Sequence, residues 1–324
     1  MDKLNRKERI IESLVNGEYD SQRLDLYLSK RFNYMSRTSW QREISAGKLR
    51  LNGSVILNTK KHVHTGDMIE YAAGEITEPA IDPEYKVIFE NENFLAVNKT
   101  GNLPVHPSGI FFNNTLVMLL EDKRGEKFYP VHRLDRETSG AILFGKNPAA
   151  ASAVQKNFGK VGKEYIAIVR GILEKQHFEV DVPIGAARGS QINKKREAYA
   201  GADESALTKF DLVSSNGLYS VVKARPVTGR LHQIRVHLKY AGYPVLGDKM
   251  YGPDETVYLD YIKQGDSETL AERAGFQRCA LHSSSFSFYD PFEKCEIKIF
   301  AEIPPDMDIF IKNIYKGEVK TLTM

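Results

Sequence analysis

Apolar residues recur at helix spacing near the start of the chain and at strand spacing after it. In RLDLYLSKRF, Leu24, Leu28 and Phe32 stand four apart, which predicts a short helix with one buried face. A second helix is predicted through Ile44, with Ser36 or Thr38 as its cap and Gly47 as its end. LRLNG and KHVHTGDMIEY then read as short strands, with turns at Asn52-Gly53 and Thr65-Gly66-Asp67. These elements make one small module over residues 21–71. Residues 1–20 read as a charged extension, helical in part, and the acidic stretch 72–85, with Pro79 and Pro83, as a linker. From Lys86 the pattern becomes strand-rich, in KVIFEN, NFLAVNK, GAILFGK, YIAIVRG, KFDLVSS, YSVVKARPV and EIKIFAEI. Helical stretches are predicted at 115–120, 149–158 and 231–241. A second domain over 86–311 follows, with 312–324 as a tail. Residues 257–273, rich in acidic side chains, read as a surface insertion.

Composition narrows the classes. The chain has 324 residues, 42% of them hydrophobic and 27% charged, so it can bury a core and is not disordered over most of its length. Two cysteines, Cys279 and Cys295, exclude a disulfide scaffold and a thiolate zinc site, and fit a reducing cytosol. The longest uncharged stretch, 101–120, is broken by Pro104 and Pro107 and carries three asparagines, so no membrane span is expected. The charged N-terminus does not read as a signal peptide, and a cytoplasmic location is expected. The net charge of +3 conceals an asymmetry: 21–66 holds nine Lys and Arg against Asp25 and Glu43, or +7, leaving −4 elsewhere. A compact positive module on a mildly acidic body suggests a polyanionic partner, although a solvated basic face gives the same count.

Candidate chemistry concentrates in two stretches. In VHRLDRETSGAILFGKN, Asp135 lies between Arg133 and Arg136 on a turn before an apolar strand, and two flanking cations would help keep its carboxylate ionised. Such a residue suits a fixed nucleophile or base, while the bare pattern is usually that of a surface ion-pair cluster. In TGRLHQIRVHLKYAGYPVLGDKMYG, a helix opening near Leu231 would set His232 and Arg235 on one face, and Arg230 and Arg235 could bracket an anion. His232 and His237 stand five apart, which is not the spacing of a metal-binding helix. Tyr165, at the opening of a strand, reads as packing. The complete phosphate-loop pattern is absent, as are a dinucleotide fingerprint and G-x-S-x-G, so nucleotide-cofactor and serine-hydrolase readings lose their usual support.

Two resemblances gather these pieces. RLDLYLS, SRTSWQREISAGKLRLNG and the closing V-x-x-GD-x-I resemble the RNA-binding domain named after the fourth protein of the small ribosomal subunit. In that family two helices present basic and polar side chains to structured RNA, which implies Arg37, Thr38, Gln41, Arg42 and Lys48 here. From Tyr85 to Ile311 the chain resembles the RluA family of RNA pseudouridine synthases. The motifs stand in family order: FENENFLAVNKTGNLPVHPSG, NTLVMLL, HRLDRETSG, KEYIAIVRG, ALTKF, TGRLHQIRVHL, GYPVLGDKMYG and ALHSSSFSF. Three positions depart from the usual family residue: Thr100 for proline, Leu231 for threonine and Ser283 for alanine.

The resemblance implies an α+β fold: a mixed, mainly antiparallel central sheet with flanking helices and a cleft along one face, beside the small N-terminal α/β domain. It implies isomerisation of uridine to pseudouridine in structured RNA, with Asp135 as the essential carboxylate. Arg235 would pair with Asp135, and Tyr165 would lie against the uracil and act as a late base. Arg133, Arg230, His232 and Gln233 would contact the substrate. Uracil is detached, turned and rejoined through carbon, so no cofactor or metal is implied. The partner is RNA, with large-subunit ribosomal RNA favoured over transfer RNA by the attached basic domain, and the protein is expected to be a monomer. Two other classes remain: a non-catalytic RNA-binding protein on this fold, and a metal-dependent nuclease, which would need clustered carboxylates in the C-terminal half.

Overall fold

The computed structural model describes residues 9–32, 35–73, 78–108, 111–252, 254–265 and 267–315. They form two compact units, residues 1–79 with 107–112 and residues 80–106 with 113–324, so the chain divides inside the acidic stretch.

In the first unit the predicted helices are Leu24–Arg31 and Arg37–Ser45. Ser36 caps the second, its hydroxyl accepting the Ser39 N–H at 3.1 Å. The apolar faces of both helices close a core of Leu24, Tyr27, Leu28, Trp40 and Ile44, all fully buried. Behind them lies an antiparallel sheet in the order Arg9–Leu14, Met68–Ala73, Leu49–Leu51, Ser54–Val55. Asn52 and Gly53 both take positive φ, 50° and 78°, the paired left-handed turn that suits a two-residue hairpin. The N-terminal extension differs from its helical reading. Arg9–Leu14 is a strand zipped onto Met68–Ala73, because its backbone completes an open sheet edge there and Ile11 and Ser13 turn toward the core, while Ile10 and Leu14 stay exposed. Residues 1–8 lie outside the described residues.

The second unit is built on one large sheet. Its strand order is His177–Asp181, Leu207–Ser215, Tyr219–Pro226, Gly162–Arg170, Leu281–Asp290, Ser139–Gly145, Phe94–Lys99, Tyr85–Glu90. Every pairing along it is antiparallel except that of Ser139–Gly145 with Leu281–Asp290, which is parallel. Gly140 makes this seam possible: its φ is +114°, and a Cβ there would meet the Ser283 backbone oxygen at 2.3 Å. Gly140 to Lys146 has the glycine-lysine spacing of a phosphate loop, but it is a buried strand, and Asn147 stands where the loop's hydroxyl would be.

Two expectations change in this unit. Residues 257–273 are no loose insertion: they form the helices Thr256–Gln264 and Glu268–Ala274, which bury Val257, Leu270 and Ala274 in a small cluster. The domain also runs past residue 311, because the helix Pro305–Tyr315 buries Met307, Ile311 and Ile314 at helix spacing on the core. The rest of the predicted tail, 316–324, lies outside the described residues. Among the described residues no helix is long and apolar enough to cross a membrane.

Candidate active site

A cavity of about 430 Å³ opens on the second unit, lined by Asp135, Tyr165 and Arg235 together with Arg133, Arg230, His232 and Gln233. Residues scattered over a hundred positions meet there because three elements end at one place. Asp135 sits in the turn before the strand Ser139–Gly145, Tyr165 in Gly162–Arg170 and Arg235 in the helix Gln233–Tyr240.

The turn is held on several sides. The Thr138 N–H donates to the Asp135 carbonyl at 3.1 Å. The buried Lys99 ammonium donates to the Arg136 carbonyl at 3.0 Å and to the Thr100 carbonyl at 2.8 Å. Lys249 Nζ donates to Glu137 at 2.9 Å, and Arg278 Nη1 donates to the Glu137 carbonyl at 3.1 Å. His132 is stacked on Phe286, with centroids 4.4 Å apart, and its Nε2 accepts the Leu143 N–H at 3.2 Å. Burial holds its pKa down at about 3, so it is a neutral anchor for the turn.

Arg235 is the hub. Its Nη1 donates to Asp135 Oδ2 at 2.6 Å, while Nε and Nη2 form a fork on Asp248, at 2.6 and 2.8 Å. Asp248 also accepts the Met250 and Tyr251 N–H groups at 3.0 and 2.9 Å. Burial alone would push Asp135 up, but His232, Arg235 and Arg133 outweigh it and hold the carboxyl at about 2. The sequence-adjacent Arg136 contributes differently from expectation. Its guanidinium pairs with Glu137 at 3.1 Å and lies 4.9 Å over the Tyr261 ring.

Asp135 therefore supplies stability that is complete above pH about 4, since its ordinary value is 3.8, and that is lost as pH falls toward about 2. The excess thermal stability of wild type over Asp135→Asn should shrink across that window. Thermal melts along an acid series check this, and a constant difference would contradict the assigned ion pair.

Tyr165 is placed by an irregularity. The register between Gly162–Arg170 and Leu281–Asp290 shifts between Glu164 and Tyr165, skipping Ser284 on the partner strand. Such a bulge re-aims the side chain beside it, here toward the cavity. Burial pushes the phenol up to about 12, with the Ser283 hydroxyl pulling the other way through a hydrogen bond. The phenol stays protonated through the neutral range, which suits a ring face and a hydroxyl better than a free base. Ser283, one of the departures from the family pattern, thus touches a site residue.

The other predicted residues divide. Arg133 is exposed at the cavity rim. Arg230 is exposed there too, with its Nε on the Ser205 carbonyl at 2.9 Å. Gln233 faces the protein: its Oε1 accepts from Thr228 Oγ1 and the Arg230 N–H, and its Nε2 donates to the Leu207 carbonyl and Thr208 Oγ1. With its amide engaged on both sides, it fixes the turn rather than reading substrate. His232 is not in the helix as spacing suggested. It precedes it with φ +58°, because the helix opens only at Gln233. Its Nε2 lies 3.8 Å from Asp135 Oδ1.

In the first unit Asp25, fully buried, accepts from Arg23 at 3.1 and 3.0 Å, from Arg37 Nε at 2.9 Å and from Gln41 at 2.7 Å. Gln41 Nε2 and one edge of Arg37 thus help to join the two helices, while both residues keep part of their surface accessible. Lys48 pairs with Glu43 at 2.9 Å and remains 41% exposed. Thr38 and Arg42 are exposed on the second helix.

A family model described as RNA pseudouridylate synthase matches residues 93–240, and one described as S4 domain matches 22–69. A Bacillus subtilis protein named uncharacterized RNA pseudouridine synthase YhcT is 31% identical over 94% of this chain and 97% of its own length. The chain belongs to the RluA-type RNA pseudouridine synthases. Another relative, the Saccharomyces cerevisiae mitochondrial tRNA pseudouridine(32) synthase, is 32% identical over 77% of this chain, which spans only 54% of that protein. A solved structure titled human RNA pseudouridylate synthase domain containing 4 shares the fold, with TM-score 0.55 and 24% identity over 71% of this chain and 93% of that one.

Within this family frame, several site residues went unread in the sequence. Asp248 and Tyr251 lie in GYPVLGDKMYG, where neither residue carries a signal of its role in the sequence alone. Lys99 and Lys163 lie within two of the family motifs, where the sequence alone assigns them no role. The half-buried Lys163 ammonium lies 4.7 Å from the Phe158 ring centroid and 3.4 Å from the Thr228 carbonyl, on the cavity wall. A lysine beside a strand carries no signal of its own; only the fold turns it inward. Among the described residues no three His, Cys, Asp or Glu side chains stand together as a metal site.

Proposed function

We propose that this protein isomerises uridine to pseudouridine in folded RNA, with Asp135 as the essential carboxylate. One observation carries the reading: Asp135 is held ionised in a cavity with Oδ2 fixed by Arg235 and Oδ1 left for chemistry, beside the Tyr165 ring. The reaction breaks the bond from the sugar carbon to the uracil nitrogen and forms one to a ring carbon, so atoms are conserved. Asp135 supplies the negative charge at the sugar, as attacking group or as proton acceptor. Tyr165 supports the uracil while it turns. A uridine paired within an RNA fold must leave its stack to enter the cavity, at a cost of a few kcal/mol. Arg133, at the rim, is placed to fill the vacated space or grip a phosphate.

The attached S4 domain favours large-subunit ribosomal RNA as substrate. The name of the yeast relative supports a second reading, transfer RNA. Mapping pseudouridine in both RNA classes from a strain lacking the protein decides between them. Incubating uridine-labelled RNA with the purified protein, with and without chelator, tests the activity: pseudouridine should form equally in both. No product, or cleaved RNA lost on chelation, would reject it.

The N-terminal unit should supply affinity rather than chemistry. Arg42→Gln removes one exposed cation, and if that cation meets a phosphate, the slope of log affinity against log salt falls by roughly 0.7 to 0.9. Titrations with long structured RNA at several salt concentrations measure it. An unchanged slope would take Arg42 off the RNA contact surface.

A further inference from the structure

The loop after the helix Gln233–Tyr240 holds both groups that face the Asp135 carboxylate. Asp248 grips Arg235 through the fork described above. Three residues on, the Tyr251 hydroxyl lies 2.8 Å from His232 Nδ1 and accepts the Arg196 N–H at 2.9 Å. Tyr251 is 2% exposed, so its hydroxyl proton has no solvent to turn to. The Arg196 amide can only donate, so the hydroxyl proton points at His232 Nδ1, which accepts it through its lone pair. A neutral imidazole whose Nδ1 accepts carries its hydrogen on Nε2. Burial keeps this imidazole neutral, with a pKa of about 4, against the pull of Asp135 and Asp248 and with the push of Arg235 and Arg133.

The Nε2–H group faces Asp135 Oδ1, the oxygen that Arg235 does not hold. At 3.8 Å the contact is too long for a hydrogen bond, so the donor stands unspent on the cavity wall beside the reacting oxygen. The backbone is arranged for this placement. His232 is held at φ +58°, a left-handed conformation that residues with a Cβ adopt only at a cost. A residue kept in such a conformation at a cavity wall points to a functional constraint.

We propose that Tyr251 is a positioning residue that fixes His232 as the Nε2–H tautomer, and that this N–H donates to the bound uridine beside Asp135 Oδ1. The proposal rests on the isomerase reading above and adds two members to its site. Without the Tyr251 hydroxyl, either tautomer of His232 is open, and one of them turns a lone pair toward the Asp135 carboxylate.

The test uses the full-length protein and uridine-labelled RNA. Tyr251→Phe should lower kcat about tenfold and leave KM within about twofold, since RNA is gripped elsewhere. His232→Gln, whose amide has no tautomer to fix, should lower kcat as well. In that background Tyr251→Phe should cost less than about twofold. An equal cost of Tyr251→Phe in both backgrounds, or no cost in the wild type, overturns the proposal. Nitrogen-15 NMR of the imidazoles reads the tautomer in the wild-type protein, with His232 assigned by the signal lost in His232→Gln. The Nε2–H form is expected, and the Nδ1–H form overturns the proposal whatever the variants do. A wild-type protein that makes no pseudouridine overturns the isomerase reading and the uridine contact with it, while the tautomer is still read by NMR.

Discussion

Asp135→Asn should abolish isomerisation and leave RNA binding nearly intact. The change keeps the size of the side chain and removes the charge and basicity that the reaction uses. The loss in kcat should reach about a thousandfold or more, equivalent to about 4 kcal/mol of transition-state stabilisation. Binding should change by less than about threefold, because the exposed cations of the N-terminal unit and the rim arginines Arg133 and Arg230 are untouched. The fold should survive, since Arg235 keeps its fork on Asp248 when the Asp135 charge is gone. Single-turnover assays with labelled RNA, beside filter-binding titrations, separate the two effects. Residual turnover within about tenfold of wild type would mean that another residue is the essential carboxylate.

The fold was more legible in the sequence than the site. The strand-rich runs after Lys86 became strands of the central sheet because their apolar residues must be covered on at least one face. The helix pair of the first unit followed from Leu24, Leu28 and Ile44, all fully buried. Local pattern failed where tertiary contacts decide. Arg9–Leu14 has no strand signal strong enough to overcome its charges, yet the free edge of Met68–Ala73 recruits it. The two helices of 256–274 looked like an exposed acidic segment, because their few buried residues are diluted by charge. At the site, residues alone left Asp135 open between catalyst and surface ion pair. Its neighbours in sequence, Arg133 and Arg136, drew attention, but the guanidinium that touches it lies 100 positions away. The resemblance to a family named the triad of Asp135, Tyr165 and Arg235, and the geometry brings these into one cavity. It did not reveal that Gln233 spends its amide inside the protein, or that Gln41 donates to the buried Asp25, which depends on hydrogen bonds between distant segments.

Arg235→Met should damage stability and activity together, with a pH dependence that identifies the cause. The substitution leaves Asp248, which is 2% exposed, without its guanidinium. Removing one partner of a buried ion pair typically costs about 3–5 kcal/mol. For a domain of this size that corresponds to a fall in Tm on the order of 10 °C. Activity should drop at least about a hundredfold, since Asp135 Oδ2 loses the donor that fixes it. In the wild type, burial would raise the Asp248 pKa, but Arg235 and the Tyr251 and Met250 amides outweigh it and lower it below the ordinary value of 3.8. Without the guanidinium, burial is the stronger influence and the folded-state pKa of Asp248 rises above that value. A carboxyl whose folded pKa is raised favours the fold at low pH, and that support is lost as pH rises through the raised pKa. The stability deficit of Arg235→Met should therefore be largest at neutral pH and narrow as pH falls from about 7 toward about 4. Arg235→Lys should be intermediate, because it restores the charge without the fork that spans Asp248 and reaches Asp135. Thermal melts of the three proteins at several pH values measure this. A deficit independent of pH would show that Arg235 stabilises the unit by packing rather than by its charge.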